Sequence, residues 1–149
     1  MKITSVKMPQ SPFTVTADHV VFVDNVTPRE TIDGITGCPV TVWDYDQFVL
    51  PCKQSAKLEA DIESNLETWL QKARDCEYDA ECKKVRACRD KLINTCDIKY
   101  CNCEKWDAMD ETKKTKWRTY KQALRDVPLQ EGFPYAVTFP KLPYGEEYI

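Results

Sequence analysis

Apolar positions in the first third of the chain come in short alternating runs. HVVFVD (19–24) is β-branched and aromatic, which predicts a strand. PVTVWDYDQFVLP (39–51) predicts two short strands, 40–43 and 47–50, with Asp44-Tyr45-Asp46 as the turn of a hairpin. Aspartates suit such a turn because their side chains bond nearby backbone. Thr27-Pro28 and the stretch from Gly34 to Gly37 mark further turns. Residues 1–53 thus read as a β and loop segment with too little regular structure to bury a large core alone. It is expected to pack on the helices or on a partner.

The period changes from two to between three and four at residue 55. In SAKLEADIESNLETWLQKARD (55–75), Leu58, Ile62, Leu66, Trp69, Leu70 and Ala73 form one narrow apolar stripe, with Ser55 as a candidate N-cap. Such a stripe serves either core packing within the chain or self-association against another helix. CEYDAEC (76–82) reads as a turn, and Asp79 as the cap of a second helix near 80–96. Cys82, Val85, Cys88, Leu92 and Cys96 would share one broad face of that helix. Two helices joined by a short turn pack antiparallel. DIKYCNCEKW (97–106) reads as a linker. A third helix follows, with Asp110 as N-cap, Trp117, Tyr120, Leu124 and Val127 on one face, and Pro128 as its end.

Pro128, Pro134, Pro140 and Pro143 then exclude both helix and sheet interior from the C-terminal stretch. Phe133, Tyr135, Val137 and Phe139 alternate with Pro134, Ala136 and Thr138 there. An extended arm with this period presents one set of side chains to one side. It either folds back over the third helix or clips onto another subunit. The fold class is therefore α+β, mainly helical: short N-terminal strands and a hairpin, an antiparallel helical hairpin, a third helix and an extended proline and aromatic arm. Three segments follow, at 1–53, 54–104 and 105–149.

Charge and composition narrow the function classes. The net charge is −3, with acids and bases interspersed, which argues against general nucleic-acid binding. The basic cluster Lys113, Lys114 and Lys116 reads as a solvated helix face. No apolar run is long enough for a membrane span, and the N-terminus lacks the apolar segment of a secretory signal. With 4 glycines, phosphate-binding loops are missing. His19, the single histidine, begins an apolar strand and reads as a packed or edge residue. No nucleophile motif accompanies it, so no catalytic residue and no enzyme activity is expected. Binding is expected instead, because Trp106, Trp117, Tyr120, Phe133, Tyr135 and Phe139 concentrate near the C-terminus.

Eight cysteines stand apart: Cys38, Cys52, Cys76, Cys82, Cys88, Cys96, Cys101 and Cys103. All are disulfide candidates, and Cys38 and Cys52 flank the proposed hairpin. Buried thiols and tetrahedral zinc are the other readings. No C-x-x-C occurs, and Cys101 and Cys103 form the one closely spaced pair, so no metal or other cofactor is expected. Disulfides suit a protein that ends up outside the cell.

WRTYKQALRDVPLQEGFPYAVTFPKLP (117–143) resembles the C-terminal signature of phage tail assembly chaperone and tail-fibre-assembly-type proteins. In that family a helix of the pattern W-x-x-Y-R-x-x-L-R-D leads into P-x-Q-x-G-F-P, then a hydrophobic residue, W-P and x-P. Trp117, Tyr120, Gln122, Ala123, Leu124, Arg125, Asp126, Pro128, Gln130, Gly132, Phe133, Pro134, Val137, Pro140 and Pro143 match it. Met109-Asp110-Glu111 is similar to the family's helix start. Lys121 stands where arginine is usual, and Phe139 where tryptophan is usual. The resemblance covers about residues 105–143. It implies a phage tail or tail-fibre partner, manufacture in the host cytoplasm, and either transient assembly work or a place in the virion tail. The same module occurs on proteins that stay in the particle. Trp117, Tyr120, Leu124, Phe133, Tyr135 and Phe139 would be the partner-binding residues. The alternative is a cysteine-rich metal-binding or redox-sensitive regulator that carries the signature as a fusion.

Overall fold

The structure, a computed structural model, describes residues 1–144. It is α+β: antiparallel strands come first and helices follow. The chain divides into two compact units, Met1–Glu77 and Tyr78–Ile149.

In the first unit, β1 (Lys2–Ser5), β2 (Phe13–Val15), β3 (His19–Ile32) and β4 (Pro39–Pro51) form an antiparallel sheet in the order β1-β4-β3-β2. Two helices follow in sequence, α1 (Leu58–Ser64) and α2 (Leu66–Thr95). Val20 pairs with Leu50, Phe22 with Phe48, and Phe13 with Phe22, so these side chains share one face of the pleat. The predicted stripe covers that face. Val20, Phe22, Leu58, Ile62, Leu70 and Ala73 are buried together, with Leu66, Trp69 and Phe48 packed around them. The N-terminal segment therefore finds its core on the helices. The stripe is used inside the unit. Each fully buried Ile or Phe contributes about 1.5–3 kcal/mol.

Several predicted boundaries change. Residues 39–51 form one strand rather than a hairpin, because the aspartates find cross-strand partners instead of local backbone. Asp44 accepts hydrogen bonds from Arg29 Nε at 2.7 Å and Thr4 Oγ1 at 2.5 Å, which hold its carboxyl below the usual range. Asp46 accepts from Asn25 Nδ2 at 2.9 Å. Thr27-Pro28 is likewise no turn. Asn25 and Val26 lie opposite the single residue Tyr45, a bulge that Asn25 permits with a φ of 54°. Pro28 is tolerated because β2 pairs only with Val20–Phe22, leaving that edge of β3 without a ladder to serve. The hairpin turn lies at residues 33–38, as the glycines indicated. Gly37 takes a φ of 69°, and Asp33 accepts from the amides of Ile35 and Thr36. Cys38 and Cys52 thus flank a single extended strand about 40 Å long, and no bond can close it.

The predicted helix at 55–75 is broken. Asn65 ends α1, donating to the carbonyl of Asp61 at 3.2 Å, while Trp69 Nε1 donates to Asp61 Oδ2 at 2.9 Å. Ser55 is no cap; α1 starts behind Lys57 without a side-chain cap. The turn expected at Cys76–Cys82 is absent as well, and with it the antiparallel helical hairpin. α2 runs through it because residues 66–95 contain neither glycine nor proline, and Asp79 is an interior position.

The second unit holds the C-terminal part of α2, a π-helical turn (Cys96–Tyr100), α3 (Cys103–Asp107), α4 (Glu111–Arg125) and a 3₁₀ turn (Val127–Leu129). The expected linker is mostly helical: Asn102 caps α3 by accepting from Lys105 N at 3.0 Å. Asp110 caps α4, accepting from Lys113 N at 2.8 Å, which lowers its carboxyl pKa.

Candidate partner-binding site

α4 carries the predicted face. Trp117, Tyr120, Leu124 and Val127 are 2%, 5%, 0% and 0% exposed. With Cys96 and Tyr100 from the π turn, the three α4 residues build an aromatic core. Tyr100 stacks on Trp117 with ring centroids 4.9 Å apart and planes 13° from parallel, and Tyr120 meets Trp117 edge-on at 5.9 Å. Burial raises the pKa of Tyr120 and pushes the Cys96 thiol up to about 12.

The C-terminal segment is fastened to this core at both ends of a loop. Gln130 places its side-chain amide across the loop: Nε2 donates to the carbonyl of Thr138 at 2.8 Å, and Oε1 accepts from its amide at 2.8 Å. Between them the chain turns through a cis Phe133–Pro134 peptide, with Ala136 N donating to the Gly132 carbonyl at 2.6 Å. Residues 139–144 run back over α4, with Phe139, Leu142 and Tyr144 packed on the aromatic core.

The arm is therefore not extended from Phe133 to Phe139, and the alternation of side chains does not hold. The turn gives each aromatic its own neighbour. Arg86 of α2 sits over the Phe133 ring at 5.7 Å, and Tyr78 meets Tyr135 edge-on at 6.2 Å. Phe139 is half-buried on the core. Of the six residues singled out as partner contacts, Trp117, Tyr120 and Leu124 lie inside the unit. Tyr135 is 64% exposed and is joined at the surface by Leu129, at 81%. Leu129 was missed by sequence reasoning, although its place between Pro128 and Gln130, after the last buried residue of the helix face, marks it as outward.

The comparisons with known proteins bear on this half of the chain. Residues 82–144 match the family model of phage tail assembly chaperone proteins. No curated protein and no solved structure matches the chain. The match bears out the resemblance read from the sequence, extends it back into α2, and points to phage tail assembly as the setting.

The geometry gives physical reasons for the positions by which the chain resembles the chaperone family. The helix residues Trp117, Tyr120 and Leu124 are core. Gln130 is the clamp that closes the loop. Gly132 has no room for a side chain, since a Cβ there would stand 2.1 Å from the Ala136 carbonyl oxygen. Pro134 is buried behind its cis bond. Substituting Lys121 for arginine keeps a cation that pairs with Asp97, and Phe139 keeps an aromatic on the core.

All eight cysteines are free thiols. Cys88 is exposed, off the predicted face, because it lies about 120° around the helix from Cys82. Among the described residues, no group of three or more His, Cys, Asp and Glu is placed to hold a metal ion, and no helix is long and apolar enough to cross a membrane. His19 pairs with Asp18 at 2.6 Å on the surface.

Proposed function

We propose that this protein works in phage tail assembly by holding a tail or tail-fibre protein against the loop at residues 127–139. The supporting observation is that Leu129 and Tyr135 are exposed on a loop fastened by Gln130 and backed by a buried aromatic core. A loop held in one shape loses little conformational freedom on docking. Exposed tyrosine is a residue type that dominates interface energetics. In this reading Trp117, Tyr120 and Leu124 position the loop, Phe133 and Phe139 anchor it, and Tyr135 and Leu129 touch the partner.

The test is capture of the tail and fibre proteins of the same phage by the full chain. Leu129→Ala with Tyr135→Ala is expected to weaken capture about thirtyfold, as for loss of a hot spot of about 2 kcal/mol, and to leave the melting temperature in place. Undiminished capture by that variant contradicts the reading. The protein is further proposed to remain in the virion. Retention gives a stoichiometric band in purified particles; a missing band, with fibre assembly lost on deletion, leaves the transient chaperone role.

A further inference from the structure

We propose that Cys96 and Cys101 form a reversible disulfide, a thiol-oxidation site built into the turn between α2 and α3. The two sulfurs lie 3.6 Å apart. That proximity is a product of the local fold. In a regular α-helix, residues five apart point about 140° away from each other and cannot meet. Here α2 gives way to a π turn at Cys96–Tyr100, in which Cys101 N donates to the Cys96 carbonyl at 2.9 Å. This bond spans five residues and brings both side chains to one side. Among the eight thiols, this is the pair in hydrogen-bond contact.

The two thiols differ in access. Cys101 is half-buried, while Cys96 is 1% exposed beside Tyr100 and Tyr120. The co-reactant is a small disulfide such as oxidised glutathione. The Cys101 thiolate attacks one glutathione sulfur, forming a mixed disulfide and expelling the first glutathione thiolate. The Cys96 thiolate then attacks the Cys101 sulfur and expels the second. Two electrons pass to glutathione, and the two thiol protons end on its two released thiols. The second step is the slow one, because burial holds the Cys96 proton. Cys101, Tyr100, Lys99 and Asp97 face Cys96 from its own turn, with Tyr120 and Lys121 from α4. Closure should therefore speed up as pH rises.

The full-length chain is incubated with oxidised glutathione, alkylated, digested with trypsin and analysed by mass spectrometry. Cleavage after Lys91, Lys99 and Lys105 puts Cys96 in one peptide and Cys101 with Cys103 in the next. The expected product joins 92–99 to 100–105 through Cys101, with loss of two hydrogens, in excess over every other cysteine pair. Cys103→Ser retains it. Cys101→Ser, at a position half-open to solvent, abolishes it and leaves Cys96 reduced. Linkage through Cys103, a Cys101 that stops at the mixed disulfide at every pH, or oxidation confined to the exposed Cys38 and Cys88 each overturns the proposal.

Discussion

Trp117→Ala is expected to unfold the C-terminal unit rather than to trim a binding surface. The indole is 2% exposed, stacked on Tyr100, and met by Tyr120 and Tyr144. Removing a buried aromatic of this size costs about 3–5 kcal/mol, through lost transfer energy and the cavity left behind. That is much of the stability available to a small unit, since whole domains hold only about 5–15 kcal/mol. Urea denaturation followed by circular dichroism should show an early transition for Trp117→Ala, while Trp117→Phe retains most of the native midpoint. If Trp117→Ala keeps the wild-type midpoint but loses capture of tail proteins, the α4 face is contact surface and the scaffold role is wrong.

Gly132→Ala is expected to open the loop and abolish partner capture. The added Cβ would meet backbone, the Ala136 carbonyl oxygen, at 2.1 Å, and the Ala136 Cβ at 2.9 Å. Backbone cannot rotate aside as a side chain can, so the Gly132–Ala136 turn must give. The Gln130 bonds to Thr138 lose their register with it, and Phe139 lifts from the core. Overpacking of this kind costs about 1–3 kcal/mol, confined here to the loop. Proteolysis is a sensitive readout: the variant should be clipped between residues 130 and 141 under conditions in which the wild type is intact. α4 should remain folded, since its caps and the buried cluster of Cys96, Tyr100, Trp117, Tyr120 and Leu124 lie upstream of the loop. A variant that resists proteolysis and still binds contradicts this account of the loop.

Much of this was legible in the chain, and what was not has identifiable causes. The α4 face, its Asp110 cap and the glycine turn of the ribbon follow from local chemistry, so they were readable. The stripe Leu58 to Ala73 was visible, but its destination depended on Val20, Phe22 and Phe48, far away in sequence. The aspartates at 44 and 46 misled because a turn signal and a cross-strand bonding partner are the same side chain. Asp79 misled for a related reason, since a helix cap and an exposed helix interior can hold the same residue. The proline and aromatic tail read as extended because alternation is a period-two pattern. The closure by Gln130 is a side chain imitating a strand, which no local pattern announces. The Cys96 and Cys101 contact depends on a π turn and was equally hidden.

In the proposed function, a fastened loop at residues 127–139 meets a phage tail or fibre protein. Hydrogen–deuterium exchange of the full chain, alone and in complex with captured tail or fibre protein, tests it most directly. New protection is expected in peptides spanning 127–139, with β3 and β4 unchanged. Protection confined to residues 1–77, with 127–139 exchanging as in the unbound chain, would contradict it.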